Sequence, residues 1–282
     1  MLLRALPGGP FDEESPLHPA VRERLQGSWD LQGHLFGQFF SYVGGLFRGD
    51  LGWSLVDAQR SVASVIAAGF RQTIWLNSLS LVFIFALGFF MALMAARRPH
   101  GWWGSSFETV SLAMVSLPSL FLGPLLVWLF AFHWDLLPAA FLDTPAHFVL
   151  PVLTLSLRPA ASLARLLAVS LREAEATDYM RTARAKGLSA WHALTKHALR
   201  NSLMPVLGYA GPLIFDVLSG SFLVEVLFSV PGLGMAFVDA MGGRDYPVIL
   251  GLTLFYGVCL VLISAGIDLL MKAADPRLRE MP

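Results

Sequence analysis

The stretch TIWLNSLSLVFIFALGFFMALMAA, residues 73–96, carries no Asp, Glu, Lys or Arg. As a helix rising 1.5 Å per residue, it reaches about 36 Å, enough to cross the roughly 30 Å hydrocarbon core of a bilayer. Four more mostly apolar blocks of comparable length follow, over residues 107–132, 148–171, 203–227 and 248–271. Hydrocarbon offers no hydrogen-bond partners, so a spanning segment must satisfy its own backbone, and each block is predicted to be helical. Working outward from residues 73–96, the fold class is therefore an all-α, polytopic membrane bundle with five spans in one domain, residues 73–272. The composition agrees: 55% of the 282 residues are hydrophobic and 14% charged, where soluble domains carry about a quarter charged.

Charge placement orients the bundle. Short loops kept in the cytoplasm are enriched in Lys and Arg. Eleven basic residues fall on one side: Arg97 and Arg98, then Arg172, Arg181, Arg184, Lys186, Lys196 and Arg200, then Lys272, Arg277 and Arg279. The alternate loops, residues 133–147 and 228–247, hold only Arg244. The loop 172–202 and the tail 273–282 are thus expected in the cytoplasm, and the segment 1–72 outside. No signal peptide or upstream helix accompanies that external segment, so the expected natural chain carries one more span ahead of Met1 and has six in all. Formal net charge is +0, which leaves no basic field to recruit nucleic acid.

The loop 172–202 is rich in helix formers except at Gly187, and reads as two helices with a break. Gly187 suits the left-handed position that ends a helix, and Ser189 can cap the next. In that second helix Trp191, Leu194, Ala198 and Leu199 fall on one apolar face. Gly88, Ala92 and Ala96 recur every four positions, a spacing that lets helices approach closely in lipid. Cys259 is the single cysteine; it offers no disulfide and reads as a small buried apolar side chain.

Ionisable residues inside apolar blocks are costly and tend to face an interior or a water-filled cavity. Arg165 and Asp268 lie near cytoplasmic ends, where snorkelling explains them. Arg158, Asp216 and Glu225 lie deeper and are the candidate translocation path; for Arg158 and Asp216 an aqueous path and a structural ion pair are both open. No phosphate-binding Gly-Lys-Ser/Thr loop, His-Glu-x-x-His or Gly-x-Ser-x-Gly occurs, so the sequence offers neither a metal site, a cofactor site nor a catalytic group of those kinds. His192 and His197, five apart, share no helical face. Asp216 and Glu225 are nine apart, about two and a half turns, and point to opposite sides of their helix, which disfavours an intramembrane enzyme built on that pair.

The run DYMRTARAKGL, residues 178–188, followed by KHALRNSLMP, residues 196–205, resembles the cytoplasmic signature of binding-protein-dependent ABC importer permeases. That signature reads Glu-Ala-Ala, three residues, Gly, nine residues, Ile-x-Leu-Pro. Ala183, Gly187 and Leu199 hold matching positions, whereas Arg181, Thr182, His197 and Arg200 depart from it, and RTARAKG is similar to the variant of peptide and nickel permeases. LRALPGGP (3–10), FRGDLG (47–52), VEVLFSVPGLG (224–234), RDYPV (244–248) and DPRLR (275–279) extend the resemblance over nearly the whole chain, most closely to B-type oligopeptide permeases.

The resemblance implies a type I importer permease in the bacterial inner membrane, working with a second permease subunit, two ATPase subunits, an external solute-binding protein and a peptide substrate. It implies that Arg181, Thr182, Ala183, Arg184, Ala185, Lys186, Gly187, Leu188, Trp191 and Leu194 form the coupling loop docked on an ATPase subunit, with Trp191 and Leu194 as apolar anchor, and that ATP is hydrolysed by those partners. Dipeptide or nickel transport is the alternative within the family. An amphipathic loop resting on anionic membrane lipid is the alternative for the loop itself, and a structural scaffold the alternative for the whole chain.

Overall fold

The computed structural model describes residues 35–57, 59–97, 102–141 and 144–274. The resemblance stretches at 3–10 and 275–279, most of the expected tail and the first half of the expected external segment lie outside the described residues. The described chain is helical, apart from one isolated bridge between Trp53 and Ser61. In chain order the helices are α1 (Leu35–Leu46), α2 (Val62–Arg97), α3 (Trp102–Ser116), α4 (Ser119–Leu126), α5 (Val149–Glu175), α6 (Asp178–Ala185), α7 (Ala190–Ala193), α8 (Leu199–Leu227), α9 (Leu233–Gly242) and α10 (Tyr246–Ala274). Four unbroken apolar helical stretches are long enough to cross a membrane: Val62–Arg97, Pro145–Glu175, Ala190–Leu227 and Tyr246–Ala273.

The expected span over 107–132 is not one helix. Its two halves, Gly104–Ser116 and Ser119–His133, meet at 103°. Pro118 sits at the corner with extended backbone, φ −61° and ψ 140°. A proline has no N–H to donate and its ring pushes the preceding residue, Leu117, out of the helical region, so the helix stops there. The Pro118 carbonyl then accepts from the N–H groups of Phe121 and Leu122, at 2.9 and 3.1 Å, starting α4 in a new direction. Counted as one broken span, this pair brings the total to five.

The chain divides into two compact units. The first combines the chain up to Thr73 with Pro231–Cys259. Its core is Val62, Ile66, Leu233, Ala240, Val248, Ile249 and Leu252. Asp245, only 5% exposed, ties the loop before α2 to α10: its carboxylate accepts from the Ser54 hydroxyl and, at 3.1 Å, from the Leu55 N–H. A buried carboxylate is tolerable only with such partners. Thr73 Oγ1 accepts from the Leu233 N–H at 2.8 Å and so satisfies one of the orphan donors at the start of α9.

The second unit comprises Ile74–Val230 with the chain from Leu260 onward. α5 is its central element and packs against α3, α4 and α8. Leu163, Leu167 and Leu171 are fully buried along it. Gly88 of α2 lies so close that a Cβ there would fall 2.5 Å from Leu163 Cδ2 and 3.1 Å from the Ala160 carbonyl oxygen. Ala92 and Ala96, one and two turns on, are buried, so the small-residue face serves helix packing.

Candidate functional site

α5 has a single open side. From Arg158 onward the residues that are not buried include Arg158, Ser162, Arg165, Val169 and Arg172, spaced by four and three, which is one line along a helix. Most of the intervening positions are buried. The line carries three guanidinium groups at seven-residue intervals, each step about 10.5 Å along the axis. It begins deep in an apolar helix and ends at the last turn.

Arg158 is met by Asp216 of α8. One terminal guanidinium nitrogen donates to both carboxylate oxygens, at 2.5 and 2.6 Å, and each side chain is 37% exposed. Proline flanks both partners: Pro159 follows Arg158, and Pro212 lies one turn before Asp216, so both helices lack a backbone donor beside the pair. The ion pair, one of the two readings left open for these residues, is formed, and it lies on the open line. Arg172 pairs with Glu108 of α3 at 3.6 Å. Arg165, between them, is exposed and has no acidic partner among the described residues. Beside it α3 and α5 enclose a groove of about 600 Å³, lined by Phe107, Leu112, Ala113 and Val169 as well as Arg165 and Arg172.

Glu225, expected on the same path, is fully buried. It lies about two and a half turns beyond Asp216, so its side chain enters the interior of the unit, and the open line does not include it.

The segment 172–202, expected in the cytoplasm, folds as two helices with a break. α6 ends in a pair of reversed bonds, Gly187 N–H to the Arg184 carbonyl at 3.0 Å and Leu188 N–H to the Ala183 carbonyl at 3.3 Å. This closure needs a left-handed residue at position 187, and Gly187 has φ +85°. Ser189 Oγ then accepts from the His192 N–H at 3.3 Å and caps α7. A π-helical turn, Leu194–Ala198, joins α7 to α8.

Arg181, Thr182, Arg184, Ala185, Lys186 and Gly187 are exposed, and Leu188 is half-buried. Arg184 reaches Glu175 at 3.5 Å and Arg181 reaches Asp178 at 3.3 Å. Trp191 is 39% exposed, with the Arg97 guanidinium 5.3 Å from its ring centre, within cation–π range. Two of the expected docking residues are placed otherwise. Leu194 is 2% exposed and Ala183 7%; Leu194 belongs to the unit's own hydrophobic core. The apolar face read from the spacing is real, but it is turned inward, and of the two residues of the expected anchor only Trp191 is left at the surface.

An all-helical membrane domain of this kind is the fold class of the permeases of type I ABC importers. The chain belongs to the family described as binding-protein-dependent transport system inner membrane component, which matches residues 84–280. It is 37% identical to the dipeptide transport system permease protein DppB of Bacillus subtilis over 279 residues, covering 99% of this chain and 91% of that one. It is 34% identical to the oligopeptide transport system permease protein OppB of Haemophilus influenzae over 280 residues, covering 99% and 92%. With the glutathione transport system permease protein GsiC of Escherichia coli K12 it shares 35% over 285 residues, covering 99% and 92%. Among solved structures, the inward-facing MetNI methionine ABC transporter matches with a TM-score of 0.62 at 17% identity, over 75% of this chain and 96% of that one. The fold is that of the importer permeases, and the curated relatives are transport permeases.

Proposed function

We propose that this chain is one of two permease subunits of an ATP-driven peptide importer in the bacterial inner membrane. Its open α5 face would line half of the translocation path, and residues 178–191 would couple it to a cytoplasmic ATPase subunit. The tail and the loop 172–202 are read as cytoplasmic, from the clustering of basic residues there. A second permease subunit, two ATPase subunits that hydrolyse ATP and an external binding protein complete the assembly.

The observation that carries this reading is the line Arg158–Arg165–Arg172 on the one uncovered side of an otherwise buried membrane helix. Facing lipid, the deepest of these charges would cost at least about 2.5–3.5 kcal/mol; facing an aqueous path, it costs little. For coupling, the support is an exposed basic helix beside a partly exposed indole, the pairing of charge and aromatic surface common at protein interfaces. The peptide class is taken from the relatives' names.

Reconstitution in liposomes with the ATPases and the binding protein tests the reading. ATP-dependent peptide uptake is expected, and Gly187→Pro and Trp191→Ala should each lower it at least tenfold with membrane insertion unchanged. Asp216→Cys should react with a water-soluble thiol reagent in the assembled transporter. Full uptake in both loop variants, or complete protection of the cysteine in every nucleotide state, would overturn the corresponding part.

A further inference from the structure

We propose that the arginine line of α5 binds the free carboxylate of the translocated substrate. Arg158 would take it first and Arg165 next toward the cytoplasm, Asp216 holding Arg158 while no substrate is there. The inference rests on the peptide-importer reading and adds to it which group of the peptide the membrane path recognises.

Three observations carry it. First, the Arg158–Asp216 contact is chemically an Arg–carboxylate pair made by one guanidinium nitrogen, and the remaining Arg158 nitrogens and the Asp216 carboxylate have no other partner among the described residues. A structural carboxylate in a dry interior would need more donors than one. This one is half-exposed and singly held, so an incoming carboxylate can replace it with the same bonds. Second, Arg165 stands two turns further on, exposed and without an acid, on the line that leads out of the membrane. Against the three cations of the line stand two acids, Asp216 and Glu108, which leaves one guanidinium for an anion. Third, the roughly 600 Å³ groove around Arg165 has apolar wall at Phe107, Leu112, Ala113 and Val169, beside Thr109, Ser116 and the Glu108 that pairs with Arg172. A volume of that size holds a drug-sized ligand, and apolar walls of this kind accept varied side chains without reading them. What peptides of any sequence share is the backbone and its two ends, and a line of guanidinium groups reads the carboxyl end.

The test uses the full transporter in liposomes with its binding protein, and compares uptake of tri-alanine with uptake of its C-terminal amide. The acid-to-amide ratio in a variant, divided by the ratio in the wild type, cancels any preference of the binding protein. Arg165→Gln should lower this ratio about tenfold or more, the loss expected for one charge-assisted hydrogen bond, and Arg165→Lys should restore most of it. Where the binding protein refuses the amide, the readout is protection of a Ser162→Cys, Cys259→Ala transporter from a water-soluble thiol reagent. Tri-alanine should protect at a concentration about tenfold lower than its amide. Equal slowing of acid and amide, no slowing of either, or equal protection by both overturns the proposal. Equal losses restored by phosphatidylglycerol vesicles would also overturn it and assign the groove to a lipid headgroup. A wild-type transporter that moves neither peptide would instead overturn the peptide-importer reading, and this one with it.

Discussion

α5 and α10 are both long, apolar helices, yet they meet their surroundings in opposite ways. Over its most apolar window the α5 stretch is 56% buried within the chain, whereas α10 is 22% buried. The open surface of α10 is made mostly of side chains such as Leu254, Val258, Val261, Leu262, Leu269 and Leu270, with Asp268 and Lys272 exposed in its last two turns. That of α5 is the line Arg158, Ser162, Arg165, Val169 and Arg172, with Glu173 exposed beside its end. Apolar exposure costs nothing against lipid tails, and charge exposure costs little only against water or a polar partner. The lesson is that in a membrane protein the chemistry of an uncovered face, more than its extent, says what lies against it.

The largest effects should come from moving one charge between these surfaces. Val169→Lys, on the α5 line, should be tolerated within about 1 kcal/mol. Val261→Lys, inside the exposed stretch of α10, should cost about 2.5–3.5 kcal/mol in insertion. Leu163→Lys, on the covered side of α5, should abolish the folded protein, because it buries an unpaired charge. Yield in the membrane fraction and thermal unfolding in detergent would rank the three. If Val169→Lys proves as damaging as Val261→Lys, the α5 line faces lipid and the contrast collapses.

Glycines sharpen the same contrast at smaller scale. Gly88→Ala would press a methyl group on Leu163 and on the Ala160 carbonyl oxygen, and overpacking against backbone costs about 1–3 kcal/mol. Gly257 and Gly266 of α10 have nothing within 4 Å of an added Cβ, and alanine there should be neutral or gain up to about 1 kcal/mol in helix propensity. Unfolding temperatures of the three variants check both statements. A loss at Gly257 comparable to that at Gly88 would show that α10 is covered by another subunit.

Much of this was legible in the sequence, for reasons that separate local from non-local physics. The break at Gly187 and the cap at Ser189 could be read because turn chemistry is decided by the residues themselves. The apolar runs could be read because hydrocarbon allows helices and little else. The 103° corner at Pro118 carried a signal, a proline in mid-run, which a block of continuous apolar residues concealed. Which way the face of Leu194 points could not be read, since an apolar stripe looks the same whether it meets its own core or a partner. Nor could the choice between pair and path for Arg158 and Asp216, 58 positions apart. Their contact depends on how α5 and α8 are rotated against each other, and the structure places the pair on the open side, where the two readings are compatible.

The smallest effect, and the most diagnostic, lies in that pair. At a distance of 2.5 Å two opposite charges attract strongly in a dry medium, and removing either alone from a buried site costs about 3–5 kcal/mol because the other is stranded. With both side chains 37% exposed, water can solvate whichever charge is left, and exposed pairs couple by about 0.2–1 kcal/mol. A double-mutant cycle of Arg158→Gln and Asp216→Asn, read by unfolding of the purified transporter, separates the cases because the coupling energy cancels what each substitution does by itself. On an aqueous face the coupling should be about 1 kcal/mol or less and should shrink further between low and high salt, as screening weakens solvent-exposed pairs. The single variants should remain folded. A coupling of several kcal/mol, unmoved by salt, would mean that the assembled transporter seals this side of α5 away from water, and the difference between α5 and α10 would then be one of packing partner alone.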